Sequence, residues 1–198
     1  MPDHRPSYHH GNLRRALVAA ALARLGAGGQ ASLSLRALAA DVGVTPRAVY
    51  RHFPKLDDLR AAVAVEGFEL LDRQLVLAHG ADRPGLQELV AAYLRFAQDN
   101  PELYAFIFGT NHFGTGADDA LRDASFRAFG RLAAAIEACL PAERHGEAPE
   151  LAHTIWAGLH GAVQLGRAQL LPVGAATQPA RRAEAIRAIG TRLTGLVS

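Results

Sequence analysis

The segment Leu35–Phe53, LRALAADVGVTPRAVYRHF, limits the possible folds of this chain more than any other feature. Apolar residues recur at helical spacing on both sides of Gly43, which predicts two short helices joined by a tight turn. Glycine suits this turn because a side chain would be strained in the left-handed backbone conformation that ends the first helix. Thr45 is then a natural N-cap, and Pro46 fits the first position of the second helix. We therefore predict a helix-turn-helix.

The two predicted helices each have an apolar face and a polar face. Small Ala39 allows the helices to approach closely, and their shared core is predicted to contain Leu35, Leu38, Val42, Val44 and Val49. The outward face of the second helix contains Arg47, Tyr50, Arg51 and His52. Arginine can bind guanine O6 and N7 or a phosphate, and tyrosine can bond a backbone oxygen of DNA. A solvated surface is the alternative interpretation, but the helix-turn-helix context favours DNA reading.

Charge is distributed unevenly along the chain. Residues 1–60 contain nine Lys or Arg and four Asp or Glu, a net charge of +5, whereas the remaining residues contain twelve and fifteen, a net charge of −3. This asymmetry fits a phosphate-binding head joined to a separate sensing body.

Composition sets the remaining bounds. With 198 residues, 49% of them apolar, the chain can bury a core in one large domain or two small ones. The single cysteine, Cys139, cannot form an intrachain disulfide, so we expect a reducing cytoplasm and a buried thiol. No apolar run is long enough to span a bilayer, and the N-terminus lacks a cleavable hydrophobic segment. We therefore expect a cytoplasmic protein.

Nearly every segment has helical periodicity, and no convincing alternating strand is found, so we predict an all-α protein. Gly67 lies in the middle of the fourth predicted helix, where it indicates either close packing or a flexible joint between head and body. The helices are predicted at about 10–27, 34–41, 45–52, 55–78, 85–99, 101–109, 117–140, 148–171 and 178–197.

The chain resembles one-component bacterial regulators of the TetR family. The matching residues are His10–Arg14 at the start of the first helix, the whole of Leu35–Phe53, and Leu59 on the fourth helix. The segment IWAGLHGAVQL, with Trp156, His160 and Gly161, is similar to the regulatory domain named for a Trp, His and Gly motif. The resemblance implies a three-helix DNA-binding head at 10–70 and a helical regulatory and dimerisation domain at 80–197. It also implies a homodimer that binds a palindromic operator and usually represses until a small molecule enters the body.

The chain departs from the family pattern at the start of the fourth helix. Family members commonly place a basic residue three positions after the phenylalanine that ends the reading helix, where it meets a phosphate. Leu56 occupies that position here and Lys55 precedes it, so either this phosphate contact is lost or Lys55 makes it from the start of the helix. The predicted DNA-binding residues are Arg36, Thr45, Pro46, Arg47, Tyr50, Arg51, His52 and Lys55.

Two further sets of residues are predicted in the body. Aromatic residues are concentrated there, which indicates either ordinary core or a pocket for an apolar or aromatic effector. The predicted pocket contains Tyr93, Phe96, Tyr104, Phe108, Asn111, His112, Phe126, Trp156 and His160. A stripe of small residues on the eighth helix faces apolar residues of the last helix. It indicates either packing between adjacent helices or the four-helix dimer interface that the family resemblance implies for the last two helices. This predicted dimer set contains Gly158, Ala162, Gly166, Ile186, Ile189 and Leu193.

Two rival classes of function are weaker. An enzyme would need a nucleophile motif, a phosphate loop or a third metal ligand beside pairs such as His153 and His160, and the sequence shows none. A helical adaptor that binds only protein would lack salt-dependent DNA binding. We therefore expect a regulator with no catalytic residues, cofactor or metal, whose partners are double-stranded DNA, a second copy of the chain and a small-molecule effector.

Overall fold

The computed structural model describes residues 10–77, 85–109, 119–171 and 179–197. These residues form α-helices and short 3-10 turns without a β-strand, which confirms the predicted all-α class. Helices in the described ranges are α1 His10–Gly28, α2 Leu35–Val42, α3 Pro46–Tyr50, α4 Leu56–Leu77, α5 Leu86–Asp99, α6 Pro101–Ile107, α7 Asp119–Glu137, α8 Ala148–Arg167 and α9 Pro179–Thr194.

Backbone chemistry accounts for several helix ends. Proline begins α6 and α9, where its missing N–H has no partner to lose. At the end of α8 the Leu170 N–H donates to the Leu165 carbonyl at 2.9 Å, and Gln169 takes a positive φ of 60°. This is a Schellman ending in which glutamine occupies the left-handed position that glycine usually takes.

The described residues form two compact units. The first contains residues 10–67, 101–109 and 119–122, and the second contains residues 68–77, 85–100, 123–171 and 179–197. Helix α4 therefore contributes its first half to the first unit and its second half to the second. The predicted domain bounds, 10–70 and 80–197, stay a prediction, and the compact units differ from them because α6 packs with α1.

Gly67 is explained by close packing within the first unit. A Cβ atom there would lie 2.5 Å from Ile107 Cγ2 and 3.0 Å from Leu103 Cδ1, so α6 presses directly on the α4 backbone. The structure therefore supports close packing as the explanation of Gly67, because a larger side chain at this position would clash with α6. The buried core of this unit includes Leu13, Leu17, Ala21, Leu25, Leu35, Leu38, Ala39, Val49, Phe53, Leu59, Val63 and Ala64.

The second unit is a helical bundle around a separate apolar core. Helix α9 packs against both α8 and α5. A Cβ atom at Gly190 would lie 3.0 Å from Leu94 Cδ1 and from Val90 Cγ1, which shows how closely α9 approaches α5. The core includes Phe68, Leu71, Leu75, Tyr93, Phe96, Leu132, Ile136, Ala152, Ile155 and Leu159.

Among the described helices, none has the length and apolar character needed to cross a membrane.

Candidate nucleic-acid interface

The turn between α2 and α3 has the geometry predicted from its glycine. Gly43 has φ 70° and ψ 34°, and the Val44 N–H donates to the Ala39 carbonyl at 2.9 Å. Thr45 then caps α3, since its Oγ1 accepts the Ala48 N–H at 3.4 Å, and Pro46 is the first helical residue. The sequence therefore sets both the end of α2 and the start of the reading helix α3.

Two buried side chains hold α3 against the rest of the first unit. Val49 is fully buried and Phe53, three residues after the helix ends, is 1% exposed. The Arg14 guanidinium lies over the Phe53 ring, with 5.1 Å between its central carbon and the ring centroid. This cation–π contact connects α1 to the chain just beyond the reading helix.

The opposite side of the reading helix faces solvent. Arg47 and Arg51 are exposed, Tyr50 is 45% exposed, and His52 is half-buried. Within the described part of the chain, no hydrogen bond or ion pair occupies either guanidinium group. Both arginines are therefore available for phosphate oxygens or base edges. The other predicted DNA-binding residues, Arg36, Thr45, Pro46 and Lys55, are also exposed.

A salt bridge joins the first two helices of the head. The Arg24 guanidinium grips both carboxylate oxygens of Asp41, with Nη2 donating to Oδ1 at 2.8 Å and Nε donating to Oδ2. The hydrogen bond from Arg24 lowers the pKa of Asp41 and raises that of Arg24. The pair fixes α2 relative to α1, although the sequence pattern alone did not reveal it because the partners are 17 residues apart.

At the start of α4, the Lys55 side chain is the main group that could bind a DNA phosphate. Asp58 accepts the Lys55 backbone N–H at 2.8 Å, so a carboxylate already caps this helix. Asp57, the other acid in the first turn, pairs with Arg60 at 3.0 Å. Two acids in this turn repel a phosphate, and the exposed ammonium of Lys55 is the cation that can compensate.

The predicted pocket residues are divided between the two compact units. Tyr104 and Phe108 lie in the first unit, where their ring centroids are 4.7 Å apart. The rest of the described set lies in the second unit, and Asn111 and His112 are outside the described residues. Phe126 is 64% exposed, and its place in the pocket stays a prediction.

An aromatic cluster does occur in the second unit. Trp156 lies 5.4 Å from Tyr93 and 5.7 Å from Phe129 between ring centroids, and Phe129 stacks against His153 at 4.5 Å. Tyr93 is fully buried core, whereas Trp156 and Phe129 are half-buried. Burial lowers the pKa of His160, one turn beyond Trp156, which favours the neutral form of its imidazole.

Two grooves of the second unit were not predicted. One has a volume of about 460 Å³ and is lined by the start of α5, Cys139 and the end of α9. The other, about 120 Å³, is formed by Val90, Ala91 and Leu94 with Arg187 and two threonines of α9. The aromatic pattern gave no signal for either groove because neither is lined by an aromatic residue.

Cys139 is exposed, so the prediction of a buried thiol was wrong. The residue lies in the turn after α7, beyond the helix face that is buried.

The stripe of small residues on α8 is filled by α9 of the same chain. A Cβ atom at Gly158 would lie 2.8 Å from Leu193 Cδ1, and one at Gly166 would lie 2.6 Å from Ile186 Cδ1. Ala162, between them, is buried, while Ile189 is half-buried. Of the two interpretations given above, packing between the adjacent helices α8 and α9 therefore accounts for the small residues at Gly158, Ala162 and Gly166. The physical reason is that a smooth stripe accepts any closely packed helix, including one from the same chain.

No group of three His, Cys, Asp or Glu side chains in the described ranges is arranged to hold a metal ion.

Two family models match this chain. Residues 17–63 match the model described as bacterial regulatory proteins, tetR family, and residues 86–181 match the model described as tetracyclin repressor-like, C-terminal domain. The first match contains α2, α3 and the turn between them. The second contains the Trp156, His160 and Gly161 motif.

Solved structures share the fold along nearly the whole chain. A protein of unknown function from Rhodococcus sp. RHA1 is 28% identical with a TM-score of 0.75, covering 96% of this chain and 98% of its own. A TetR family member from Streptomyces coelicolor A3 is 24% identical with a TM-score of 0.61, covering 91% and 97%. A TetR family transcriptional regulator from Agrobacterium tumefaciens is 17% identical with a TM-score of 0.60, covering 93% and 98%.

Proposed function

The chain belongs to the TetR family of DNA-binding transcriptional regulators, and from that membership we propose that it is a repressor that binds a palindromic operator as a homodimer. A small-molecule effector releases it from the operator. The protein acts in the cytoplasm, where the DNA is.

The reading helix carries this proposal. Arg47 and Tyr50 project from a helix that Val49 and Phe53 anchor from beneath, and the exposed Arg51 follows directly after it. A rigid short helix with free guanidinium groups is what insertion into a major groove requires. Arg36 and Lys55 are exposed on the neighbouring helix ends, where they can meet the phosphates on either side.

The size of the DNA contact and a second face of α8 both support a homodimer. One short helix reads only a few base pairs, so two heads one or more helical turns apart are needed for specific affinity. The inner stripe of α8 is occupied, but from Thr154 onward its outer face is also uncharged. This part of the face consists of Thr154, Ala157, Gly161, Gln164, Leu165 and Ala168, and the exposed Glu150 precedes it by one turn. The outer face of an amphipathic helix is normally charged, and Leu165 is 45% exposed here.

We therefore assign the dimer contact to this outer face. A Cβ atom at Gly161 would meet nothing within 4 Å, so a second helix can approach the backbone there. Ile189 and the 46% exposed Leu196 extend the apolar surface onto the C-terminal segment. A second copy of the chain fits such a surface because a symmetric pair of α8 helices would bury both faces at once.

The effector in this proposal is apolar or aromatic. The half-buried rings of Trp156 and Phe129 are supported from below by Tyr93, which leaves an aromatic surface beside His160, whose neutral form is favoured. Such surfaces favour aromatic ligands by stacking. Effector binding would shift the dimer between two shapes and weaken operator binding through a coupling of about 1–3 kcal/mol.

The proposal is tested on the two reading-helix side chains. Arg47→Ala and Tyr50→Ala should each abolish discrimination between a duplex selected by the wild-type protein from a random library and unrelated DNA. Fluorescence anisotropy at several salt concentrations measures both affinities, and log affinity should fall linearly with log salt. Arg95→Ala, which removes an exposed arginine from α5, is the matched control and should leave discrimination unchanged.

Retained discrimination in the Arg47 and Tyr50 variants would refute the placement of the interface. If the protein shows no salt-dependent binding to either duplex, the result would instead favour a helical adaptor that binds only other proteins.

A further inference from the structure

We propose that Arg127 and Arg131 of α7 are positioning residues that hold the second half of α4 in its operator-binding arrangement through an ion-pair ladder with Glu69 and Asp72. This inference rests on the proposed function, since it concerns how operator affinity is set. The ladder lies entirely within the second unit.

The stronger rung joins Arg131 to Asp72. Nε of Arg131 donates to Oδ1 of Asp72 at 2.9 Å and Nη2 donates to Oδ2 at 3.4 Å, so the guanidinium and the carboxylate meet side by side. The Asp72 side chain is only 18% exposed, which reduces solvent screening of its charge. The hydrogen bond that Arg131 donates to Asp72 raises the pKa of Arg131. A two-pronged pair of this kind fixes orientation as well as distance.

The second rung joins Arg127 to Glu69. Nη2 of Arg127 lies 3.5 Å from Oε1 of Glu69, and the other carboxylate oxygen of Glu69 lies 4.0 Å from Nη1 of Arg73 on the same helix. The acids are three residues apart on α4 and the arginines four apart on α7, so each rung is one helical turn from the other. Two rungs resist rotation of α4 about its axis, which a single ion pair does not.

The ladder is suited to setting position more than to holding the fold together. Partly exposed ion pairs contribute little to stability, and the burial of Phe68, Leu71 and Leu75 already anchors this half of α4. These apolar contacts tolerate small rotations and shifts, whereas a paired guanidinium requires one alignment.

Helix α4 gives the ladder a route to the DNA-binding head. The helix is continuous from Leu56 to Leu77, and its first half, through Leu59 and Val63, belongs to the core of the unit that contains the reading helix. We expect a change in alignment at Asp72 to reach the first half of the same continuous helix. An effector that separates the rungs would weaken operator binding without breaking either core.

The test separates charge pairing from a general loss of stability. Asp72→Asn keeps the shape and removes the charge, Arg131→Gln removes the partner, and the exchange D72R/R131D restores an opposite pair across the same two helices. The control is Arg144→Gln, because Arg144 pairs with Glu147 three residues away and does not join α7 to α4. Operator affinity is measured by anisotropy on the duplex selected by the wild-type protein, and the midpoint of thermal unfolding by circular dichroism.

Asp72→Asn and Arg131→Gln should each weaken operator binding about three- to tenfold, with thermal midpoints close to that of Arg144→Gln. The double variant D72N/R131Q should be no weaker than the weaker single variant, because either change breaks the same contact. The exchanged pair should recover most of the affinity.

Additive losses in the double variant, no recovery in the exchanged pair, or an equal loss in Arg144→Gln would overturn the ladder. In each of these cases the wild-type protein still binds its selected duplex, so the proposed function stands. A wild-type protein that selects no duplex refutes the proposed function, and the ladder with it.

Discussion

At the scale of single residues, two positions share a left-handed backbone but differ in how easily sequence predicts them. Gly43 has φ 70° and Gln169 has φ 60°. The glycine was predicted because it lies between two apolar helical patterns, whereas a glutamine gives no signal for this conformation. The structure therefore identifies strain at Gln169 that the sequence conceals.

Opposite substitutions at these two positions should change stability in opposite directions. Gly43→Ala should lower the free energy of unfolding by about 1 kcal/mol, because its Cβ has open space and only the backbone is strained. Gln169→Gly should raise it by about 0.5–1 kcal/mol by removing that strain. Urea unfolding followed by circular dichroism measures both. A stabilised Gly43→Ala or a destabilised Gln169→Gly would contradict the assignment.

At the scale of helices, the sequence predicted each α-helix of the described residues but not which helix faces meet. The predicted helix bounds agree with the structure to within a few residues because apolar spacing, caps and prolines are local signals. Both faces of α8 carry small residues, so periodicity alone could not decide which one packs against α9. The ion pairs between helices were also unpredictable, since Arg24 and Asp41, or Asp72 and Arg131, are distant in sequence.

The pair between α1 and α2 should make the stability of the head depend on pH in acid. The hydrogen bond from Arg24 holds the pKa of Asp41 below its ordinary 3.8, so the unfolded chain takes up the proton first. The stabilisation is present above pH 3.8 and is lost as the pH falls through the lowered pKa. In a double-mutant cycle of Asp41→Asn and Arg24→Gln, urea unfolding should show a coupling near neutral pH that is lost as acid protonates Asp41 in the folded protein. A coupling that is unchanged in acid would exclude the ion pair as its source.

At the scale of the whole molecule, sequence was most informative about the DNA-reading head and least informative about the body. The fold of the head could be predicted because a short motif contains its main determinants. Gly43 forms the turn, Thr45 caps the reading helix, and Val49 and Phe53 anchor it. The body depends on contacts between helices far apart in the chain, so its grooves and the exposure of Cys139 and Phe126 appear only in three dimensions. Aromatic content alone could not separate core from surface, since Tyr93 and Phe126 have opposite environments.

The proposed assembly predicts that a charge on the outer face of α8 breaks the dimer. Gly161→Arg should convert the wild-type dimer to a folded monomer, because two arginines would meet across the symmetric contact. Gly130→Arg is the matched control, since Gly130 lies on α7 and its Cβ would also meet nothing within 4 Å. Sedimentation velocity gives the mass of each species. A dimeric Gly161→Arg, or a monomeric Gly130→Arg, would place the interface elsewhere.

The packing of α6 against the α4 backbone has a consequence for transplanting heads between related regulators. A graft cut near residue 70 would leave behind Leu103 and Ile107, which cover Gly67 and belong to the same compact unit as α1. In the chimera, Gly67 on α4 would then lack the side chains of α6 that cover it in the native protein. A chimera that also carries α6 from the same regulator keeps the contact between α6 and Gly67 native. The unit that should be exchanged therefore consists of two segments that are separate in the sequence.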